Sequence, residues 1–259
     1  MLPFPQLVQY GNTRIPDWWD TTNVVMAFDA NNFVQSTGFN TDGFVDYKGI
    51  SVQADAQSTN NLVPQKGNSS NSIINNYGTY GIVLYGSGLI ANNSQIPATY
   101  TQADYTVDFW FRNSGSGANV LEIVPFLWCQ AIVNNNNKWC LWAYFKDSNG
   151  ARYQNNGGGT NRSKANYAAM YADTNWHHFG YTFVKSTNTH YLFIDGILID
   201  TFVYSIVTPG TPATKFGLTG HVNDQGLTGG TGQHTAIDRF RFRDAAIWTS
   251  GFNTSTIYP

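Results

Sequence analysis

Retaining glycosidases commonly cleave their bond with two carboxyl groups, one to attack and one to donate a proton. This chain carries a single glutamate, Glu122, within Val-Leu-Glu-Ile-Val-Pro, so no strand register pairs it with a second. Asp104 and Asp108 fall on one strand pattern and leave an aspartate-only enzyme as the catalytic alternative. His177 and His178 are of the type that supplies a base or a metal pair, but adjacent strand residues face opposite ways. They read as strand-edge histidines. Stacking chemistry is better provided. Saccharide rings lay apolar C–H faces on Trp and Tyr while polar side chains bond the hydroxyls, and the chain holds 8 Trp, 15 Tyr and 28 Asn. Trp142 and Tyr144 stand out, on the side of a hairpin that also bears Lys138. Arg239, Arg241 and Arg243 alternate with Phe240 and Phe242. They form either a solvent-facing row balanced by Asp238 and Asp244 or a contact for acidic sugars or a neighbouring subunit.

Positioning such groups requires strands. Within Asn175–Thr201, Phe179, Tyr181 and Phe183 alternate with smaller residues, the period of a half-buried strand. A polar turn at Lys185–Thr189 leads to a second strand, Tyr191–Ile194, and Asp195-Gly196 closes a tight hairpin because Gly accepts positive φ. Val24–Asp29 and Ile50–Ala54 are further strands in the N-terminal half, the second inside a long polar stretch from Asn31 to Asn76. Around a tip at Asn134–Asn137, a hairpin over Pro125–Phe145 sorts by parity into two faces. One bears Phe126, Trp128, Gln130, Ile132, Trp139, Leu141 and Phe145; the other bears Leu127, Cys129, Ala131, Val133, Lys138, Cys140, Trp142 and Tyr144. Both are apolar, as for a hairpin buried on both sides. If one is open, Trp142 and Tyr144 are its platform. The same pairing puts Cys129 and Cys140 on one face, compatible with a disulfide or with two buried thiols. Gly-rich polar loops at Asn155–Arg162 and His221–His234 offer ligand contacts, with Asn155, Asn156, Asn161 and Arg162 as candidates.

Charged residues make up 12% of the chain and aromatics 15%, which allows a large core with few ion pairs. With 25 Gly and no sustained 3.6-residue apolar stripe, the chain reads as all-β, and its length suits one large sandwich. A net charge of −2 gives no electrostatic footprint for nucleic acid. No apolar run approaches the length of a membrane span, and the N-terminus lacks the pattern of an export signal. Residues 1–22 are set apart by Pro3, Pro5 and Pro16 and by Phe4, Trp18 and Trp19, aromatics costly to expose. They form either an arm folded back on the sandwich or a docking segment for another subunit, and residues 23–259 a single domain.

Four segments resemble, in order, the laminin-G-like jelly roll of the concanavalin A-like lectin/glucanase superfamily. They are Tyr77–Ile90 with its Gly-Ser-Gly, Tyr105–Arg112 (Tyr-Thr-Val-Asp-Phe-Trp-Phe-Arg), the Trp-His-His…Tyr-Leu-Phe-Ile-Asp-Gly of Asn175–Thr201, and Ile237–Trp248. The resemblance implies a jelly-roll β-sandwich of two antiparallel sheets, with Asp108 at an ordinary outward acidic position. It implies sugar or protein binding more often than catalysis, and the Glu-x-Asp-x-x-Glu motif of its retaining glycosidases is absent here. Tyr144-Phe145-Lys146 resembles a segment of alginate lyases whose companion motifs are missing. Structural calcium is implied by the resemblance alone, since Asp29, Asp42, Asp46 and Asp55 lack the dense oxygen spacing of a calcium loop.

Three functions stay in view. The first is a lectin-like, non-catalytic virion protein of a bacteriophage, a decoration, fibre or adhesion module. Residues 1–22 would dock on other virion proteins, the sandwich would meet cell-surface polysaccharide, and a homo-oligomer is compatible; release by lysis would need no export signal. The second is a secreted, extracellular polysaccharide-degrading hydrolase or lyase of the same fold. The third is a capsid-stabilising subunit that binds no sugar.

Overall fold

Aromatic and β-branched residues at alternate places make strands because each lays one face on an apolar neighbour. Tyr105–Asn113, Trp176–Val184 and Thr235–Arg243 are the long strands of this kind. The computed structural model describes residues 22–29, 44–50, 103–113, 175–203 and 235–254, and the backbone of the other strands; side chains are described at 22–29, 45–50, 52, 103–111, 175–203 and 238–254. The architecture is all-β, a jelly-roll β-sandwich of two antiparallel sheets.

The first sheet runs β14 (Ile197–Val203), β13 (Thr189–Ile194), β12 (Trp176–Val184), β7 (Tyr105–Asn113), β18 (Thr235–Arg243), β5 (Ile82–Leu84) and β4 (Gln65–Lys66). Beside β5, the same edge of β18 also receives β1 (Val24–Phe28). The second runs β11 (Arg162–Lys164), β10 (Ala151–Asn155), β9 (Lys138–Phe145), β8 (Leu127–Gln130), β15 (Lys215–Thr219), β6 (Leu89–Asn92), β3 (Ser51–Ala54) and β2 (Phe44–Val45). A separate small ladder joins β16 (Val222–Asn223) to β17 (Gly226–Leu227). Among the described residues no helix is long and apolar enough to cross a membrane.

One face of the first sheet is an aromatic layer. Phe109 stacks on Phe179 at 5.0 Å and lies 6.0 Å from Phe240, which stacks on Phe28 at 4.8 Å. All four are buried, each contributing roughly 1.5–3 kcal/mol of apolar transfer. The hairpin expected at Asp195-Gly196 is present, with φ of 50° and 76°, the type I′ geometry that matches strand twist. Asp195 also fastens the start of β12: Oδ1 accepts the His178 N–H at 2.7 Å, and Oδ2 lies 2.8 Å from His177 Nδ1. The preceding polar turn is a short 3-10 helix, Lys185–Thr187, followed by Asn188 at φ 49°, so β13 starts two residues earlier than the alternation suggests.

At the other margin a carboxylate replaces missing strand pairing. Asp46 Oδ1 accepts the N–H groups of Lys48 and Ile50 at 2.8 and 2.7 Å, and Oδ2 accepts that of Ala27 at 2.8 Å. Asp46 thus builds the 46–50 turn and ties it to β1. Burial pushes its carboxyl up against the pull of those donors. Asp29 Oδ1 accepts the Tyr47 hydroxyl at 3.0 Å. Both carboxylates serve the local fold, and among the described residues no group of three or more His, Cys, Asp or Glu gathers to hold a metal. Asp42 and Asp55 lie outside the described residues. The described donors do not fit a calcium site.

Candidate functional site

The second face of the first sheet carries the histidine, aspartate and arginines singled out in the sequence, in an arrangement that differs from the expected one. Asp108 is completely buried, not outward. Arg241 reaches its Oδ2 through Nε at 3.1 Å and Nη2 at 2.5 Å, and Arg243 Nε lies 3.9 Å from Oδ1. His178 Nε2 is 3.2 Å from the same Oδ2. Burial raises a carboxyl, yet the Arg241 charge, the His178 hydrogen bond and the Arg243 charge together hold Asp108 well below the usual carboxylate range. Desolvation lowers His178 despite its bond to Asp108, so the ring stays neutral and donates its Nε2–H. His177 and His178 do alternate in facing, but His178 is wholly enclosed and is not a strand-edge group.

The solvent-facing row of arginines is likewise corrected. Asp238 pairs with Trp110 and Arg241 with Asp108, so β18 spends three residues where β7 spends two. That bulge falls at Arg239, whose φ is 53°. It takes Arg239 out of line and leaves Arg241 and Arg243 buried.

The cover over this face is the segment after β18. The strand expected to reach Trp248 ends at Arg243, and the chain crosses the sheet instead. Thr106 Oγ1 donates to the Ala245 carbonyl at 2.8 Å and accepts the Ile247 N–H at 2.9 Å. Further along, the Phe252 N–H bonds the Gly196 carbonyl at 2.9 Å. Between these ties Trp248 and Phe252 stack at 4.1 Å. Both meet the His178 ring edge-on, and Arg243 lies 5.5 Å over Trp248. They pack close over Gly180, where an added Cβ would stand 3.4 Å from both Phe193 and Trp248, in ordinary contact. This face is therefore a closed charge cluster under an aromatic strap.

The second sheet presents the other candidate face, and its parity can be followed strand by strand. Residues opposite one another in an antiparallel ladder share a face, and neighbours along a strand alternate. Two side chains fix which face is which: Val52 is 0% exposed and Val45 46%. Val52 pairs with Ala91, Ala91 with Phe216, Phe216 with Cys129 and Cys129 with Trp139. These positions share the face of Val52. Val45 pairs with Ser51, and its face, the outer one at that margin, continues in register through Gln53, Ile90, Gly217, Trp128 and Cys140. On β9 it takes Trp142 and Tyr144, opposite Gln154 and Arg152 of β10, and Arg152 in turn pairs with Ser163.

This register regroups the expected hairpin faces. Gln130 pairs with Lys138, leaving an odd number of residues between the strands where the Asn134–Asn137 tip implied an even one, and each odd step exchanges the faces. Trp128 and Gln130 join Lys138, Cys140, Trp142 and Tyr144, while Leu127 and Cys129 join Trp139, Leu141 and Phe145. Positions 129 and 140 consequently fall on opposite faces, so the expected shared face for the two cysteines is not met. Of the candidate ligand residues, Trp142 and Tyr144 share the face of Val45, whereas Asn155 (opposite Leu141) and Arg162 (opposite Tyr153) fall on the face of Val52. Asn156, Asn161, Phe4, Trp18 and Trp19 lie outside the described residues. Arg152, Gln154 and Ser163 were not anticipated. The alternation Ala-Arg-Tyr-Gln-Asn at 151–155 is the signal that finds them, since it marks a strand where a loop was expected to begin at Asn155.

No protein-family model matches the sequence, and no curated protein matches it. Solved structures do share the fold. The Trypanosoma rangeli sialidase in complex with 2,3-difluorosialic acid superposes with a TM-score of 0.57 at 10% identity, over 91% of this chain and 32% of that one. The binding domain of botulinum neurotoxin DC in complex with rat synaptotagmin II gives 0.56 at 12% identity, over 87% of this chain and 49% of that one. The botulinum neurotoxin serotype D binding domain gives 0.55 at 13%, over 90% and 51%. The chain thus spans about a third to a half of the length of these proteins.

Proposed function

We propose that this chain is a non-catalytic, lectin-like recognition domain that binds surface glycan on the outer face of its second sheet, around Trp142 and Tyr144. The observation that carries the reading is the register, which sets these two aromatics on one face beside Arg152, Gln154 and Ser163. Aromatic platforms flanked by hydrogen-bonding side chains suit pyranose rings. Support also comes from fold relatives whose structures hold such ligands, among them the serotype D neurotoxin domain with N-acetylneuraminic acid. A virion setting, with residues 1–22 docking on other virion proteins and the sandwich turned to a cell surface, accords with the low charge and the Asn-rich composition. A secreted, extracellular protein is the alternative location. The sialidase relative lends some weight to an enzyme. Against that, Asp108 is committed to Arg241, Asp195 to His177, Asp46 to backbone, and Asp104 Oδ1 to the Lys185 N–H.

Glycan-array binding followed by titration calorimetry tests this. Trp142→Ala and Tyr144→Ala are each expected to weaken binding about tenfold or more with unchanged melting temperature. An array on which the native protein binds nothing, or release of reducing ends or unsaturated products from a polysaccharide panel, would overturn the reading. Presence in purified phage particles, lost on removal of residues 1–22, checks the virion setting separately.

A further inference from the structure

We infer that the outer face of the second sheet selects a carboxylate-bearing saccharide over a neutral one, with Arg152 as the selecting residue. The inference rests on the glycan-binding reading and sharpens it to a substrate class. Its ground is the charge these strands carry: none of them contains Asp or Glu on either face, and the ladders show which cations share the face of Trp142 and Tyr144. The outer-face places of β9 and β10 hold Lys138 and Arg152; Lys215, two places from Gly217 on β15, falls on the same face. No outer-face place of the strands from β2 to β11 within this sheet is Asp or Glu. Sixteen acids in the chain outnumber the fourteen Lys and Arg, so an acid-free face with three cations departs from the overall balance.

The placement of Arg152 within that face decides its role. It stands directly opposite Tyr144, and Gln154 directly opposite Trp142, at the roughly 5 Å separation of cross-strand neighbours. Two aromatics, a guanidinium and an amide therefore occupy a two-by-two block of adjacent places. A planar guanidinium matches a carboxylate with two parallel hydrogen bonds, which an ammonium does not. A sugar ring on the aromatic pair and an acid group at Arg152 fit that block together. Single-stranded nucleic acid also combines anionic groups with stackable rings, but three cations in a chain of net charge −2 supply little of the backbone attraction it needs.

The test uses the full chain and calorimetric or array titration with sialyllactose and oligouronates, against lactose and neutral glucan oligosaccharides, at low and high salt, plus an oligothymidylate control. Acidic sugars are expected to bind about ten- to a hundredfold more tightly than neutral ones, with a preference that shrinks as salt rises. Arg152→Gln is expected to abolish the preference, so that acidic and neutral sugars bind alike; Arg152→Lys restores part of the charge attraction. A melting curve on each variant separates lost binding from lost fold, and Ser163→Ala on the paired strand gives a second probe that leaves the charge untouched. Equal binding of neutral and acidic sugars, or an unchanged preference in Arg152→Gln, overturns the inference and leaves the glycan reading standing. Silence toward every sugar overturns both. Tighter binding of the oligonucleotide than of any saccharide overturns both in favour of nucleic acid.

Discussion

Asp108→Ala should destabilise the protein by about 3–5 kcal/mol, because it strips the counter-charge from two buried guanidinium groups. Arg241 and Arg243 are 0% and 1% exposed, so water cannot replace the lost carboxylate without opening the aromatic strap. For a chain of this size the melting temperature should fall on the order of 10 °C, read by calorimetry or chemical denaturation. Asp244→Ala, at an exposed carboxylate one residue beyond the strand, should change stability by less than about 0.5 kcal/mol. A loss below about 1 kcal/mol at position 108 would mean the cluster does not anchor this face. The same cluster predicts acid sensitivity with a definite sign. His178 has a lowered pKa when folded, so the unfolded chain takes up its proton first as pH drops below about 6.5. Stability should therefore be fully present above that pH and decline beneath it, with a second loss below the ordinary carboxylate range as Asp108 gives up its own advantage. His178→Gln should flatten the first decline in melting temperature measured from pH 8 to pH 5; an unchanged slope would assign the sensitivity elsewhere.

The second large effect is expected at the hairpin. Gly196 has φ 76°, and a Cβ built there would stand 2.0 Å from the Phe252 carbonyl oxygen. Backbone cannot yield as a side-chain tip can, so Gly196→Ala must either distort the turn or release the segment that crosses it. The left-handed conformation alone costs a non-glycine residue roughly 1–2 kcal/mol, and losing the Phe252 tie adds to it. We expect the strap to detach, with Trp248 emission shifting to the red and new proteolytic cleavage between residues 244 and 254. Gly180→Ala is the internal comparison: its Cβ would meet Phe193, Trp248 and Phe252 at 3.4 to 3.5 Å, ordinary contact with side chains that can adjust. It should be tolerated. Equal behaviour of the two substitutions would show that the strap does not depend on close approach at position 196.

Much of the first sheet is legible in the sequence alone, because alternation and turn chemistry act over a few neighbouring residues. Phe179, Tyr181 and Phe183 mark β12, and Asp195-Gly196 marks the β13–β14 hairpin, where the backbone has the positive φ that such a turn demands. The candidate binding face is legible only in part. Trp142 and Tyr144 follow from residue type, but Arg152 and Gln154 become their neighbours only through the β9–β10 register. Arg241 shows the same limit from the other side. Its sequence neighbours Asp238 and Asp244 suggest a solvated row, whereas the carboxylate it bonds lies 133 residues away on β7.

By itself the sequence determined an all-β chain, the positions of the long strands β7 and β12, the tight hairpin and the absence of paired glutamates, since each depends on local period, turn preference or composition. Only the tertiary structure decided which face of each strand is covered. A side-chain period of two says that faces alternate and nothing about which is buried; that choice belongs to strands and a strap brought in from distant parts of the chain. One bulge at Arg239 and one odd-numbered connection between β8 and β9 were enough to change which residues share a face.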